Sequence, residues 1–394
     1  MTVELGTTTP TVDARSALPP VDVTDDALAT VTAQLAATAE EHDRSAEFPW
    51  RGLRVVHDAG LLRLGIAPRY GGADLSAVDS IRVFGALGQG DPSVALITAM
   101  TVFQHVLQSK DPWWPDELYR TVVRGSLERP VLVNAIRAEH ELGAPARGGL
   151  PATTIRRTAS GWVLNGHKAY ATGSEGLSYH LVWAATEDAD PLQGHAIVPG
   201  DSPGIRIVRT WDHLGLRASS THDAIYTDVE IPAENFQGAP ASEHRGDAAF
   251  AGVALGASAL YVGVARAARD FFARFAQERV PTGLGRPIAT TERIQAVAGE
   301  IEAQLVLAEE LAFGLGRRID AGESIPPQRL VLAKPLIVRA AVTAVQTAVA
   351  AIGNPGLTRH NPLERHLRDV LCARVHPPQE DTALLVAGRR ALGL

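Results

Sequence analysis

GNPGLTRHNPLERHLRD, residues 353–369, runs on into VLCARVHPPQEDT at 370–382, and the reading of this stretch decides the fold. A glycine-rich turn leads into the pattern P-x-E-R-x-x-R-D, carried by Pro362, Glu364, Arg365, Arg368 and Asp369, which reads as a helix. His376 then stands before the Pro377–Pro378 pair, where a helix must stop.

Working outward, the stretch closes a zone that begins near residue 246 and carries the helical period. Ile294, Val297, Ile301, Leu305, Ala308 and Ala312 mark one face of a long helix. Breakers at 281–285, 325–327 and 353–356 divide the zone into long helices and a shorter one. Residues 336–352 are apolar nearly all round, so they read as a helix buried in a bundle or an interface. Upstream, from about 130 to 236, the period shortens. WVLNG (162–166), HLVWAAT (180–186), HAIVPG (195–200) and IRIVRTW (205–211) read as antiparallel strands, and Asn165–Gly166 reads as a hairpin turn. From 25 to 129 the pattern is helical again, with Leu28, Val31 and Leu35 on one face. The expected fold class is α+β: a flexible tail (1–24), an N-terminal helical domain (25–129), a middle antiparallel β-domain (130–240) and a C-terminal four-helix bundle domain (241–394).

Composition narrows the function. The 394 residues are 45% hydrophobic and 21% charged, an ordinary globular balance with more core than one domain needs. A net charge of −7 leaves no basic footprint for nucleic acid. Cys372 is the one cysteine, which excludes an internal disulfide and fits a reducing, cytoplasmic compartment. No Cys or His cluster has zinc-ligand spacing, so no metal site is expected. No run of about 18 uninterrupted apolar residues suggests a membrane span, and the N-terminus does not read as a signal peptide. The charged pairs Arg137/Glu139 and Glu309/Glu310 read as solvated faces.

Four collinear segments resemble the acyl-CoA dehydrogenase superfamily. They are AGLLRLGIAPRYGGADLS (59–76), PATTIRRTASGWVLNGHKAYATGS (151–174), TWDHLGLRASSTHDAIYTDVEIP (210–232) and the C-terminal signature itself. The resemblance implies a flavin cofactor, FAD with FMN as the alternative, and a homotetramer. It implies that Thr172 hydrogen-bonds the flavin N5 edge and that Tyr170 packs on the ring. Gly173 then allows the close approach of a flat ligand. It also implies that Arg279 meets the pyrophosphate of FAD held by a neighbouring subunit, although the 279–285 loop is longer than is usual in the family. GLGRPI (283–288) is not a dinucleotide fingerprint, because no strand precedes it and a third glycine is missing.

The family's usual base is a glutamate about two helical turns after the signature. Here that position is Pro377, which accepts no proton. The other base position known in the family falls near Val253, with Asp247 more than a turn away. Abstraction of a proton beside a thioester needs a positioned acceptor. The chain therefore resembles most the flavin-dependent monooxygenase branch of the fold, typified by dibenzothiophene monooxygenase. That branch lacks the glutamate and draws reduced flavin from a separate reductase. Its histidine near the base position corresponds to His376, and His105 in AMTVFQHVLQ (99–108) is a second candidate pocket histidine. The expected function is a two-component monooxygenase of a small organic substrate. The rival readings are an acyl-CoA dehydrogenase using Glu380 or Asp381 as base, and a silent flavin-binding subunit.

Overall fold

A computed structural model describes residues 17–142, 149–240, 250–377 and 379–394. Most of the expected tail, and Asp247, lie outside the described residues. The last residues before the first helix are not loose. The Leu18 amide donates to the Gly71 carbonyl at 2.8 Å, and Val21 and Val23 pack on the core.

The N-terminal region is helical: α1 (Asp25–Ser45), α2 (Trp50–Asp58), α3 (Ala77–Gly90), α4 (Pro92–Lys110) and α5 (Asp116–Gly125). The helix starts follow capping chemistry. Thr24 caps α1, Ser76 caps α3, and Asp91 caps α4 with Pro92 in its first turn. Leu28, Val31 and Leu35 of α1 are buried, as their spacing requires.

The middle region is one sheet of β1 (Val133–Ile136), β2 (Thr154–Arg157), β3 (Gly161–Ala171), β4 (Tyr179–Thr186), β5 (Gln193–Pro199), β6 (Ile205–Val208), β7 (His222–Pro232) and β8 (Phe236–Ala239). Its order is β6-β7-β3-β2-β4-β5-β8, and β1 pairs with β4. The sheet is mixed rather than wholly antiparallel, because β1 and β2 each run parallel to β4. The hairpin expected at Asn165–Gly166 does not form: β3 runs straight through it. The register with β7 shifts between Leu164 and Gly166, and the Asn165 amide exchanges bonds with Asp228, a residue at φ +48°. A Cβ on Gly166 would lie 2.4 Å from the Thr153 hydroxyl. The Asn-Gly pair thus marks a bulge and a close approach of the Thr153 side chain, not a turn.

Helices return in α6 (Phe250–Glu278), α7 (Glu292–Asp320), α8 (Pro327–Ile352), α9 (Leu363–Leu371) and α10 (Glu380–Ala391). The α7 face is as read, with Ile294, Ile301, Leu305, Ala308 and Ala312 buried. Helix α8 starts earlier than its apolar run and passes through Pro335. It is long and apolar enough in composition to cross a membrane, yet 56% of that stretch is buried within the protein. Helices α3 and α6 meet backbone to backbone. A Cβ on Gly88 would sit 2.1 Å from the Leu260 carbonyl oxygen, and one on Gly263 would sit 2.1 Å from that of Gly85.

The C-terminal signature is where the three regions meet. The Arg368 guanidinium on α9 grips both carboxylate oxygens of Asp43 on α1, at 2.7 and 2.6 Å. It also pairs with Glu364 at 2.7 and 2.9 Å and donates to the Leu214 carbonyl at 2.8 Å, in the loop between β6 and β7. The neighbouring Asp369 accepts the Leu216 amide at 2.7 Å. Arg217 closes the circuit by donating to the Asp43 carbonyl at 2.8 Å. Gly215 is required here, since a Cβ would fall 2.4 Å from the Arg368 carbonyl oxygen. Removing the cation from such a half-dry cluster leaves two carboxylates facing each other. Arg368→Ala is expected to cost about 3–5 kcal/mol in denaturant unfolding. Arg368→Lys should recover only part of that, because an ammonium cannot reproduce the bidentate fork.

Candidate functional site

The site is built around the end of β3. Tyr170 lies at φ +55° and Gly173 at φ +79°, so the chain turns sharply as it leaves the sheet. Tyr170 is 55% exposed and is therefore no core aromatic: its ring stands on the rim of the sheet, 6.0 Å from that of His140. Thr172, by contrast, is buried and held on several sides. Asn134 of β1 donates to its carbonyl at 2.9 Å, and Thr221 donates to its hydroxyl at 3.1 Å. The Gly173 amide bonds to Ser219, and the Ser174 amide and hydroxyl bond to Ser220. The result is a rigid ledge within four residues: a flat exposed aromatic at 170, a fixed hydroxyl at 172 and a glycine at 173.

Just before this ledge on β3 stands an ion pair the sequence did not suggest. Lys168 of β3 is fully buried and donates to Glu139 at 2.6 Å. Glu139 therefore does not sit on a solvated face. Burial disfavours its charge, but bonds from Lys168, Thr153 and Ala152 hold the carboxyl below its ordinary range. Arg137 lies over the Trp183 ring at 4.6 Å. Glu309 pairs with Arg266 at 2.7 Å, both half-buried.

His376 lies after α9, and its Nδ1 is 2.8 Å from the Tyr261 hydroxyl on α6. Its carbonyl accepts the Lys334 ammonium of α8 at 2.6 Å, and Lys334 also reaches the Ala373 carbonyl. Burial, aided by the Lys334 charge, pulls the His376 imidazole down to about 4. Burial likewise lowers Lys334 to about 8. With its pKa so lowered, His376 is a neutral imidazole at neutral pH, and its Nδ1 meets the Tyr261 hydroxyl. Of the alternative bases, Glu380 is committed to Arg339 at 2.9 Å, and Asp381 accepts its neighbour's amide at the start of α10.

His105 belongs to a different cluster. It is 1% exposed on α4, and its Nδ1 meets the Tyr119 hydroxyl of α5 at 2.8 Å. Burial lowers it to about 4. It shares no hydrogen-bond or ring partner with His376 among the described contacts. Arg279 directly follows α6, exposed, with its carbonyl bonded to the Ile288 amide at 2.9 Å. The side chain at Val253 lies outside the described residues. The structure also gathers His140, His167 and Asp223, which no sequence spacing suggested.

The fold and this ledge define a class. Models of the acyl-CoA dehydrogenase N-terminal, middle and C-terminal domains match residues 22–108, 137–229 and 255–378. The chain is 30% identical to YdbM of Bacillus subtilis (strain 168), a relative named for the acyl-CoA dehydrogenases, over 88% of this chain and 91% of that one. It belongs to the acyl-CoA dehydrogenase family. Among solved structures, KijD3 in complex with FMN and a dTDP-linked amino-keto sugar shares 25% identity with a TM-score of 0.81, covering 95% of each chain. Butyryl-CoA dehydrogenase from Megasphaera elsdenii gives 0.82 at 21% identity, covering 95% of this chain and 99% of that one. TdsC from Paenibacillus sp. A11-2, with FMN and indole, gives 0.82 at 20% identity, covering 93% and 96%. The fold alone therefore does not separate dehydrogenase from monooxygenase.

Four histidines drawn out of water set a pH dependence. Burial pulls His105, His180 and His376 to about 4 and His366 to about 3, all below the ordinary 6.5. Each contributes stability that is present above 6.5 and lost as pH falls toward the folded value. Asp369 runs the other way, since burial raises it to about 7 and its contribution fades as pH rises from 3.8 through 7. Four groups against one leave the unfolded chain binding more protons between pH 6.5 and 4. The unfolding free energy should fall as pH drops across that window, by about 1.4 kcal/mol per pH unit for each net proton, and the thermal midpoint should fall with it. A thermal-shift series in pH checks this, and a flat or rising trend on acidification would refute it.

Proposed function

We propose that the chain is a flavin-dependent oxidoreductase working as the oxygenase of a two-component monooxygenase. It takes reduced flavin from a separate reductase and acts on a small organic substrate. The observation that carries this is the character of the base position: Pro377 stands there, with the neutral imidazole of His376 beside it, and Glu380 is turned to Arg339. Among the described residues, no carboxylate stands at that position to take a thioester α-proton. Oxygen transfer needs no such base.

The ledge fits a flavin. The exposed Tyr170 ring offers a stacking face, the fixed Thr172 hydroxyl a partner for the N5 edge, and Gly173 the room for a flat ring to approach. Arg279, exposed at its turn, would reach the pyrophosphate of FAD held by a second subunit; with FMN it would be idle. Bound reduced flavin would supply two electrons, so that one atom of O2 enters the substrate and the other leaves as water. The chain's own work is to hold and shield. Tyr261 fixes the His376 ring, Lys334 fixes its backbone, and His376 Nε2 is left to hold a proton at the reacting centre. Exposed Val306 and Leu307 on α7 and Leu384 and Leu385 on α10 support the homotetramer, which would cover them.

A dehydrogenase is the second reading, favoured by the 30% identity to YdbM. The two separate by isotope. With reduced FMN or FAD, 18O2 and a panel of amines, thioethers and indoles, the protein should yield 18O-labelled product. His376→Ala should keep the fold, lose roughly 10²–10⁴-fold of product formation and release more hydrogen peroxide. Unlabelled, desaturated acyl-CoA product would establish the dehydrogenase instead.

A further inference from the structure

We propose that His140, His167 and Asp223 form a binding site for one divalent transition-metal ion of the zinc class. The three come from separate segments: the turn after β1, the middle of β3 and the start of β7. Both Nε2 atoms converge on one oxygen, Asp223 Oδ2, at 2.8 Å from His140 and 2.7 Å from His167. All three ligand atoms lie within 4.8 Å of one another. Ligands bound to zinc at about 2.1 Å stand about 3.0–3.4 Å apart at right to tetrahedral angles, so an ion would enter as each imidazole–carboxylate distance opens by a few tenths of an ångström and the two imidazole nitrogens, within 4.8 Å of each other, draw together. Each imidazole would then bind through Nε2 and keep its proton on Nδ1.

Two features show that this arrangement is held in place rather than a chance meeting of surface side chains. Glu139 and Lys168 are chain neighbours of His140 and His167, and their buried 2.6 Å ion pair locks the two segments together. Asp223 is itself buried, and its other oxygen accepts the Thr210 hydroxyl at 2.9 Å. A second bond of this kind orients a metal-ligating carboxylate. The two histidines are half-exposed, so the remaining coordination positions face solvent and would take water or an oxygen donor. Two imidazoles and a carboxylate suit zinc, nickel or copper, and leave calcium and magnesium, which prefer all-oxygen shells, poorly served.

The test needs no catalytic activity and is independent of the flavin reading. The untagged, chelator-treated full chain is titrated with Zn2+ by calorimetry. One saturable equivalent per chain is expected at micromolar zinc. His140→Asn and His167→Asn should each weaken it at least 10-fold, and Thr210→Val should weaken it roughly 10–100-fold. Both histidines are at the surface, so these variants fold, which circular dichroism verifies. The absence of a saturable equivalent overturns the proposal. So does an affinity that survives the His140→Asn/His167→Asn double variant, because the zinc is then held elsewhere.

Discussion

The Arg368 guanidinium is the constraint that ties the C-terminal signature to the rest of the fold. It touches α1 through Asp43, its own helix α9 through Glu364 and the β6–β7 loop through Leu214. A planar fork with five donors can serve three elements at once, which an ammonium cannot. Beside it, Asp369 pins Leu216 at φ +51°, a backbone state that the loop would not hold unaided. The same loop continues to Ser219, Ser220 and Thr221, which fix Thr172 and Gly173 at the end of β3. A short charged motif near the C-terminus thus sets the position of a ledge built from residues some two hundred positions earlier.

That route explains why the signature is charged although it is largely withdrawn from water. The Arg368, Asp43 and Glu364 side chains are each about 15% exposed. Such a cluster contributes little net stability over an apolar packing, but it tolerates only one geometry. Close packing enforces the same uniqueness elsewhere. Gly88 and Gly263 let α3 and α6 touch through their backbones, so the helical regions before and after the sheet form one body.

The fold was largely legible in the sequence because its signals are local. The α1 and α7 faces, the strand at HLVWAAT and the breakers at 281–285 follow from periodicity and turn chemistry over a few residues. What was missed depends on distant partners. Asn165–Gly166 has the composition of a hairpin, yet Thr153 and Asp228 turn it into a bulge. Glu139 looks like a surface acid until Lys168 folds onto it. His140 and Asp223 are 83 residues apart, and the pairing of β3 with β7 brings His167 to the same carboxylate oxygen. Near the C-terminus the sequence marked Pro377 and His376, but it carried no sign that Tyr261 would meet the His376 ring, or that burial and the Lys334 charge would lower its pKa.

The central claim is that this member of the acyl-CoA dehydrogenase family has no base for the α-proton of a thioester. It is tested most directly by loading the protein with oxidised FAD and mixing it, without oxygen, with acyl-CoA thioesters from four to sixteen carbons. The account predicts that the visible flavin band stays unbleached with every chain length. Rapid bleaching by any of them would mean that a carboxylate reaches the substrate after all, and would contradict it.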